Sequence, residues 1–245
     1  MQRTDIVLKQ VVAAFERESH LKLHHHPVHL SFDDGALIVT GEVPDVASKK
    51  RFLQLTRLHS NGERLVDQLR VTANPPVADG ELRTRICERL AQAVDFRNCV
   101  ICARVKGQLE VLRGTMDEAG NVGSGVIEIT VKDGVVTLTG QVISLSHRRL
   151  ASVTAWWVGG CRDVVNLLEL VPAEADGDDE ISEALHLVLE TDQRVRAEQI
   201  TINVENHRIT LGGWVATDAE RRQAEQDAWC LDAIDGVVNR IQVRA

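Results

Sequence analysis

The sequence predicts an α+β protein of three tandem α-β-β-α-β modules. Each has two helices packed on a small three-stranded mixed sheet, and the middle module carries an extra inserted β-hairpin. Three observations predict this. One hairpin pattern is written four times: "FDDGALIVTGEV" at 32–43, "VKGQLEVLRGTM" at 105–116, "VKDGVVTLTGQV" at 131–142 and "VENHRITLGGWV" at 204–215. Three glycines, Gly41, Gly140 and Gly213, anchor a repeat with Val66, Val165 and Val238 at +25, and with Asp67, Asn166 and Asn239 at +26. Leu69, Leu168 and Ile241 follow at +28. Before each copy, apolar residues recur at helical spacing.

The first element of each module is a helix. Leu8, Val11, Val12 and Phe15 fall on one stripe, as do Leu82, Ile86, Leu90 and Ala93, and Ile181, Ala184, Leu185 and Val188. Asp5, Asp79 and Asp179 stand at or near the helix starts, where a carboxylate can accept from backbone N–H groups. The hairpin comes next. Val28, Leu30 and Phe32 alternate, as do Ile127, Ile129 and Val131, and Ile200, Ile202 and Val204. Period two gives each strand one buried face. Asp-Gly at 34–35 and 133–134 suits a two-residue turn with positive φ, and Asn206-His207 is a weaker version. A second helix follows. Thr217 and Glu220 have capping-box spacing, and the apolar stripe is small, Ala224 and Ala228 matching Ala151 and Ala155. A last strand, "VVNLLEL" at 164–170 or "VVNRIQV" at 237–243, closes the unit by a right-handed crossover.

Gly41 to Gly140 is 99 residues and Gly140 to Gly213 is 73, a difference of 26. Laid over 126–140, residues 100–114 match at Val100, Ile101, Val105, Lys106, Leu112 and Gly114. A tandem hairpin duplication in the middle module is therefore expected. The expected boundaries are 1–73, 79–171 (with 99–125 the extra piece) and 178–245.

Composition excludes several function classes. Apolar residues are 44% and charged residues 26%, which suits folded domains. The net charge of −8 is concentrated at one end: residues 172–245 carry 7 basic and 16 acidic side chains. No segment offers the positive charge that a phosphate backbone requires, so no nucleic-acid partner is expected. Five cysteines at irregular spacing make no disulfide framework and point to a reducing compartment. The N-terminal stretch carries charges throughout, unlike a signal peptide, and no stretch approaches 18 apolar residues, so a cytoplasmic location is expected.

A helix, then "DGVVTLTGQV", a second helix, and "VVN" leading into a last strand resembles the BON domain, a small bacterial module. The resemblance covers nearly the whole chain as three copies. The first is diverged, with "SNGERLVDQL" in place of the usual run, and His207 replaces a turn glycine in the third. The resemblance implies a non-enzymatic protein of the bacterial envelope or osmotic-stress type that binds phospholipid, a membrane surface or another partner. The alternative is a cytoplasmic protein-interaction or self-association module, forming homo-oligomers.

Among individual residues, Gly41, Gly114, Gly140 and Gly213 recur at the end of the second hairpin strand. They are read as a structural bend or positive-φ position in preference to a ligand approach. Trp156 and Trp229, at +16 from their glycines beside the alanine stripe, are the best candidates for an interaction surface, although packing at the edge of the core is the preferred reading. In "HLKLHHHPVHL", His24, His26 and His29 are weak candidates for a metal site, and a solvated polar loop is the preferred reading. Cys99 and Cys102 form a CxxC without a second pair, and residues three apart on a strand face opposite sides. No catalytic motif or triad spacing occurs, and no cofactor or enzymatic activity is expected.

Overall fold

The computed structural model describes residues 3–19, 27–60, 62–73, 75–115 and 123–244. The chain forms two units, residues 1–72 and 73–245. The first contains α1 (Arg3–Ser19), β1 (Val28–Asp33), β2 (Ala36–Val43), α2 (Val46–His59) and β3 (Arg64–Val71). β1 and β2 are antiparallel and β2 and β3 parallel, giving the order β1-β2-β3. Val7 and Val11 of α1 join Leu37, Val39, Phe52 and Leu69 in the core. The alternation of β1 is weaker than its pattern implies: Phe32, expected inside, is 52% exposed, because it lies next to the turn at the sheet's outer edge.

The second unit begins with α3 (Asp79–Gln92), followed by two hairpins, β4 (Cys99–Val105) with β5 (Gln108–Arg113) and β6 (Gly125–Lys132) with β7 (Val135–Val142). Next come α4 (Leu145–Trp156), β8 (Asp163–Asn166) and β9 (Glu169–Leu170). The same theme returns in α5 (Asp178–Thr191), β10 (Ile200–Glu205), β11 (Arg208–Val215), α6 (Asp218–Cys230), β12 (Gly236–Asn239) and β13 (Gln242–Val243). The sheets run β5-β4-β6-β7-β8 and β10-β11-β12, with β9 and β13 continuing along β7 and β11.

The extra hairpin extends one sheet. β4 pairs with β6 in parallel, and every pair from Cys99↔Gly125 to Ala103↔Ile129 joins a residue to its own copy 26 positions on. The copies differ in one respect. The first hairpin turns at Lys106-Gly107, one residue earlier than its alignment with Asp133-Gly134 places it. A bulge opposite Ile101 and Cys102 absorbs the offset.

The two-residue turns all have positive φ at both positions, as type I′ geometry requires, including the Asn206-His207 version. The helix-start aspartates serve these turns. The Asp79 carboxylate accepts from the amides of Asp133 (2.8 Å) and Gly134 (2.9 Å), so α3 latches the second hairpin. In the last module this acceptor is Asp178, not the expected Asp179; it takes the amides of Asn206 (2.7 Å) and His207 (2.8 Å). Those two bonds hold the Asp178 carboxyl below its ordinary range.

The recurrent +26 position explains the shape of each last strand. Asn166 accepts from the amide of Leu168 (3.1 Å) and donates to the α4 carbonyl of Arg148 (2.8 Å). Asn239 does the same with Ile241 (3.1 Å) and Arg221 (2.9 Å). The jog breaks the strand and swings Leu168 and Ile241 into the core. In the first unit Asp67 keeps the accepting bond to Leu69 (2.9 Å) but has no amide to donate. Lys49 supplies the donor, pairing with Asp67 at 3.0 Å and donating to the carbonyl of Leu69 at 2.9 Å.

Candidate functional site

The four recurrent glycines are structural. Gly41, Gly140 and Gly213 sit opposite Val28, Ile127 and Ile200 with positive φ. A Cβ there would collide with the carbonyl oxygens of Pro27, Val126 and Gln199. Gly114 has the same φ sign but more room, its nearest neighbour being Val100. The glycines therefore let two backbones close together, and no ligand is needed to account for them.

The tryptophans are divided by the structure. Trp229, taken as a surface candidate, is 3% exposed, because the alanine stripe draws α6 down onto its sheet and carries the ring into the core. Trp156 is half-buried. Their neighbour Trp157 makes the polar contact. Its indole N–H donates to Asp227 on α6 at 2.8 Å, and the Arg89 guanidinium lies 5.1 Å from the ring centre.

Asp227 belongs to a buried polar seam between the two modules of the second unit. Its Oδ1 accepts from Trp157 and from Gln223 (2.9 Å). Its Oδ2 is buried with no donor against it among the described residues, and the carboxyl of Asp192, at the end of α5, is its acidic neighbour. Burial pushes Asp227 up to about 7, so it holds the proton of the pair, while Arg194 (2.8 Å) keeps Asp192 ionised and low. Farther along the seam, Arg149 of α4 is buried, donating to Asp176 (2.6 Å) and to the carbonyl of Asp232. Ser152 donates to Asp232 at 2.9 Å. Most polar groups of the seam find partners within it, although Nη1 of Arg149 makes no hydrogen bond among the described residues.

His24 and His26 lie outside the described residues. His29 is exposed on β1, and among the described residues no group of His, Cys, Asp and Glu is arranged to hold a metal. All five cysteines are buried thiols without disulfides. Burial raises Cys87 and Cys102 to about 11, which leaves them unreactive near neutrality. No described helix is long and apolar enough to cross a membrane.

Exposed apolar side chains include Trp214 of β11 at 41%, and those of the sheet edges. β5 is the outer strand of the six-stranded sheet, with Leu109, Val111 and Leu112 exposed at 42%, 52% and 45%. At the corresponding border of the last module lies β10, beside a groove of about 750 Å³ against α5.

Small α-β-β-α-β modules repeated along the chain, with open sheet edges, define a protein built from repeated domains. The BON-domain model matches twice, at residues 101–172 and 177–245, together more than half of the chain. The protein belongs to the BON-domain family, whose domain is a binding module without catalytic function. No curated protein matches the chain. Solved structures similar to it include two of one protein. One is the C-terminal domain of CdsD, a structural protein of the type III secretion system of Chlamydia trachomatis, at 12% identity over 100% of both chains and a TM-score of 0.24. The other is also of CdsD from that organism, at 13% identity over 98% of this chain and 92% of that one, with a TM-score of 0.23.

Proposed function

We infer that the chain is a non-enzymatic scaffold that binds other proteins along the edges of its sheets. The observation that carries this reading is β5. Among the described residues it is paired on one side only, and it exposes Leu109, Val111 and Leu112. An edge with apolar side chains and unpaired backbone groups is a template for another chain. The phospholipid reading that the family suggests has less support. Trp229 is enclosed, and the net charge of −8 opposes an anionic surface.

The test has two arms. A protein recovered on the immobilised chain is purified and titrated calorimetrically against the wild type and a Leu109→Lys/Val111→Lys variant. The wild type is also sedimented with phosphatidylethanolamine–phosphatidylglycerol vesicles. The expected result is a partner whose affinity drops at least tenfold in the variant, about 1.4 kcal/mol, and no vesicle binding. Vesicle binding without a protein partner, or equal affinity of the variant, overturns the reading.

A further inference from the structure

The middle and last modules can be superimposed in sequence through their latches. Asp79 and Asp178 hold equivalent turns, and Gly140 and Gly213 mark equivalent strand positions. By these anchors β10 corresponds to β6 and α5 to α3. In the middle module the outer border of β6 is occupied: β4 pairs along it in parallel, and Arg113 of β5 reaches the carbonyl of Ala91 near the end of α3. In the last module β10 ends its sheet, and among the described residues no strand pairs with its outer side. The groove of about 750 Å³ runs along that border, floored by Ile200–Ile202 and walled by α5.

The wall has also changed its charge. Where α3 has Gly80, Thr84, Cys87 and Ala91, the same turns of α5 carry Asp179, Glu183, His186 and Glu190. All four of these α5 side chains line the groove, and His186 faces Glu190 at 3.2 Å. The strand that fills the middle module's border carries positive charge at and beside its ends, Arg97 and Lys106 outside it and Arg104 within it, the last paired with Glu128 of β6 at 2.6 Å. The last module therefore keeps the vacant half of an interface whose filled form stands next door, with a wall suited to a basic occupant.

We propose that the β10 border of the last module binds an extended, basic peptide segment of a partner protein, added as a parallel strand in the place that β4 takes beside β6. The proposal rests on the sheet-edge reading above and names a second edge and its ligand class. Backbone pairing to β10 supplies the docking, and Asp179, Glu183 and Glu190 select lysine or arginine at the flanks.

The probe is a fluorescein-labelled peptide of the sequence 97–106, with both cysteines replaced by serine, titrated into the full chain. Controls are the same peptide N-methylated at alternate residues, which blocks strand pairing and keeps the side chains, and a Glu183→Lys/Glu190→Lys chain. These positions are exposed, so the fold is retained and is checked by circular dichroism. Saturable binding is expected, weakened roughly tenfold or more by each control and by added salt. No binding, or equal binding in either control, overturns the proposal. So does a concentration-dependent dimer in ultracentrifugation that Glu183→Lys/Glu190→Lys abolishes, because the occupant is then a second copy of this chain. If the peptide fails while the Leu109→Lys/Val111→Lys variant still loses its partner, the β10 assignment falls and the scaffold function stands.

Discussion

Single residues show what a repeat can and cannot reveal. The +26 position recurs because every module needs its last strand to jog, and Asn166 and Asn239 meet that need alone. Asp67 meets it only with help from Lys49, a side chain buried at +8 whose role is visible only once the two are seen 3.0 Å apart. Asp67→Asn is expected to destabilise the first unit by about 1–3 kcal/mol, since it removes the counter-charge of a buried ammonium. Lys49→Met/Asp67→Asn should recover most of that loss by recreating the asparagine solution of the other modules; urea unfolding of the two variants measures both effects. Trp157 teaches the converse. Recurrence drew attention to Trp156 and Trp229, yet a position that recurs serves what each module does for itself, and for Trp229 that is core packing. A contact between modules occurs once, so Trp157, Asp192 and Asp227 leave no mark in the repeat.

Secondary-structure elements were legible in the sequence wherever a period was sustained. The stripe of α5, the turn residues and the alanine faces of α4 and α6 are where their spacing puts them, whereas in α1 Val7 is buried and the expected Leu8 and Val12 only partly, and Ala93 falls just beyond the end of α3. The duplication of the hairpin was legible as well, from an offset of 26 residues. Its placement was not, because either strand of a hairpin can join a sheet and sequence similarity does not choose between them. Excision of residues 99–124 is expected to leave a cooperatively folding second unit, because the Asp79 latch, β6, β7 and α4 make a complete module without it. The excised chain should unfold at lower urea concentration than the full one, having lost the buried side chains of β4. A chain that fails to fold would show that the insertion has become part of the core.

At the scale of the whole molecule, the seam makes two modules into one body, and its proton gives that body a pH response. Asp227 is held up to about 7 by burial. The folded chain therefore keeps a proton that the unfolded chain releases above the ordinary carboxylate range. Its contribution to stability is complete in acid and is lost as pH rises through about 7. Asp192 is held low, so its contribution runs the other way and is lost on acidification. Across pH 5 to 7.5 the second unit should lose stability at up to about 1.4 kcal/mol per pH unit from this one site, and Asp227→Asn should flatten the slope in urea titrations at several pH values. The doubled hairpin carries a different consequence. In the order β5-β4-β6-β7 the two copies meet head to head, first strand against first strand. Each first strand then has neighbours on both sides, and what the pair shows outward is second strands. A third insertion could not repeat the event that produced the second. The duplication is its own stop signal, and a sheet lengthened in this way grows once, by two strands, and no further.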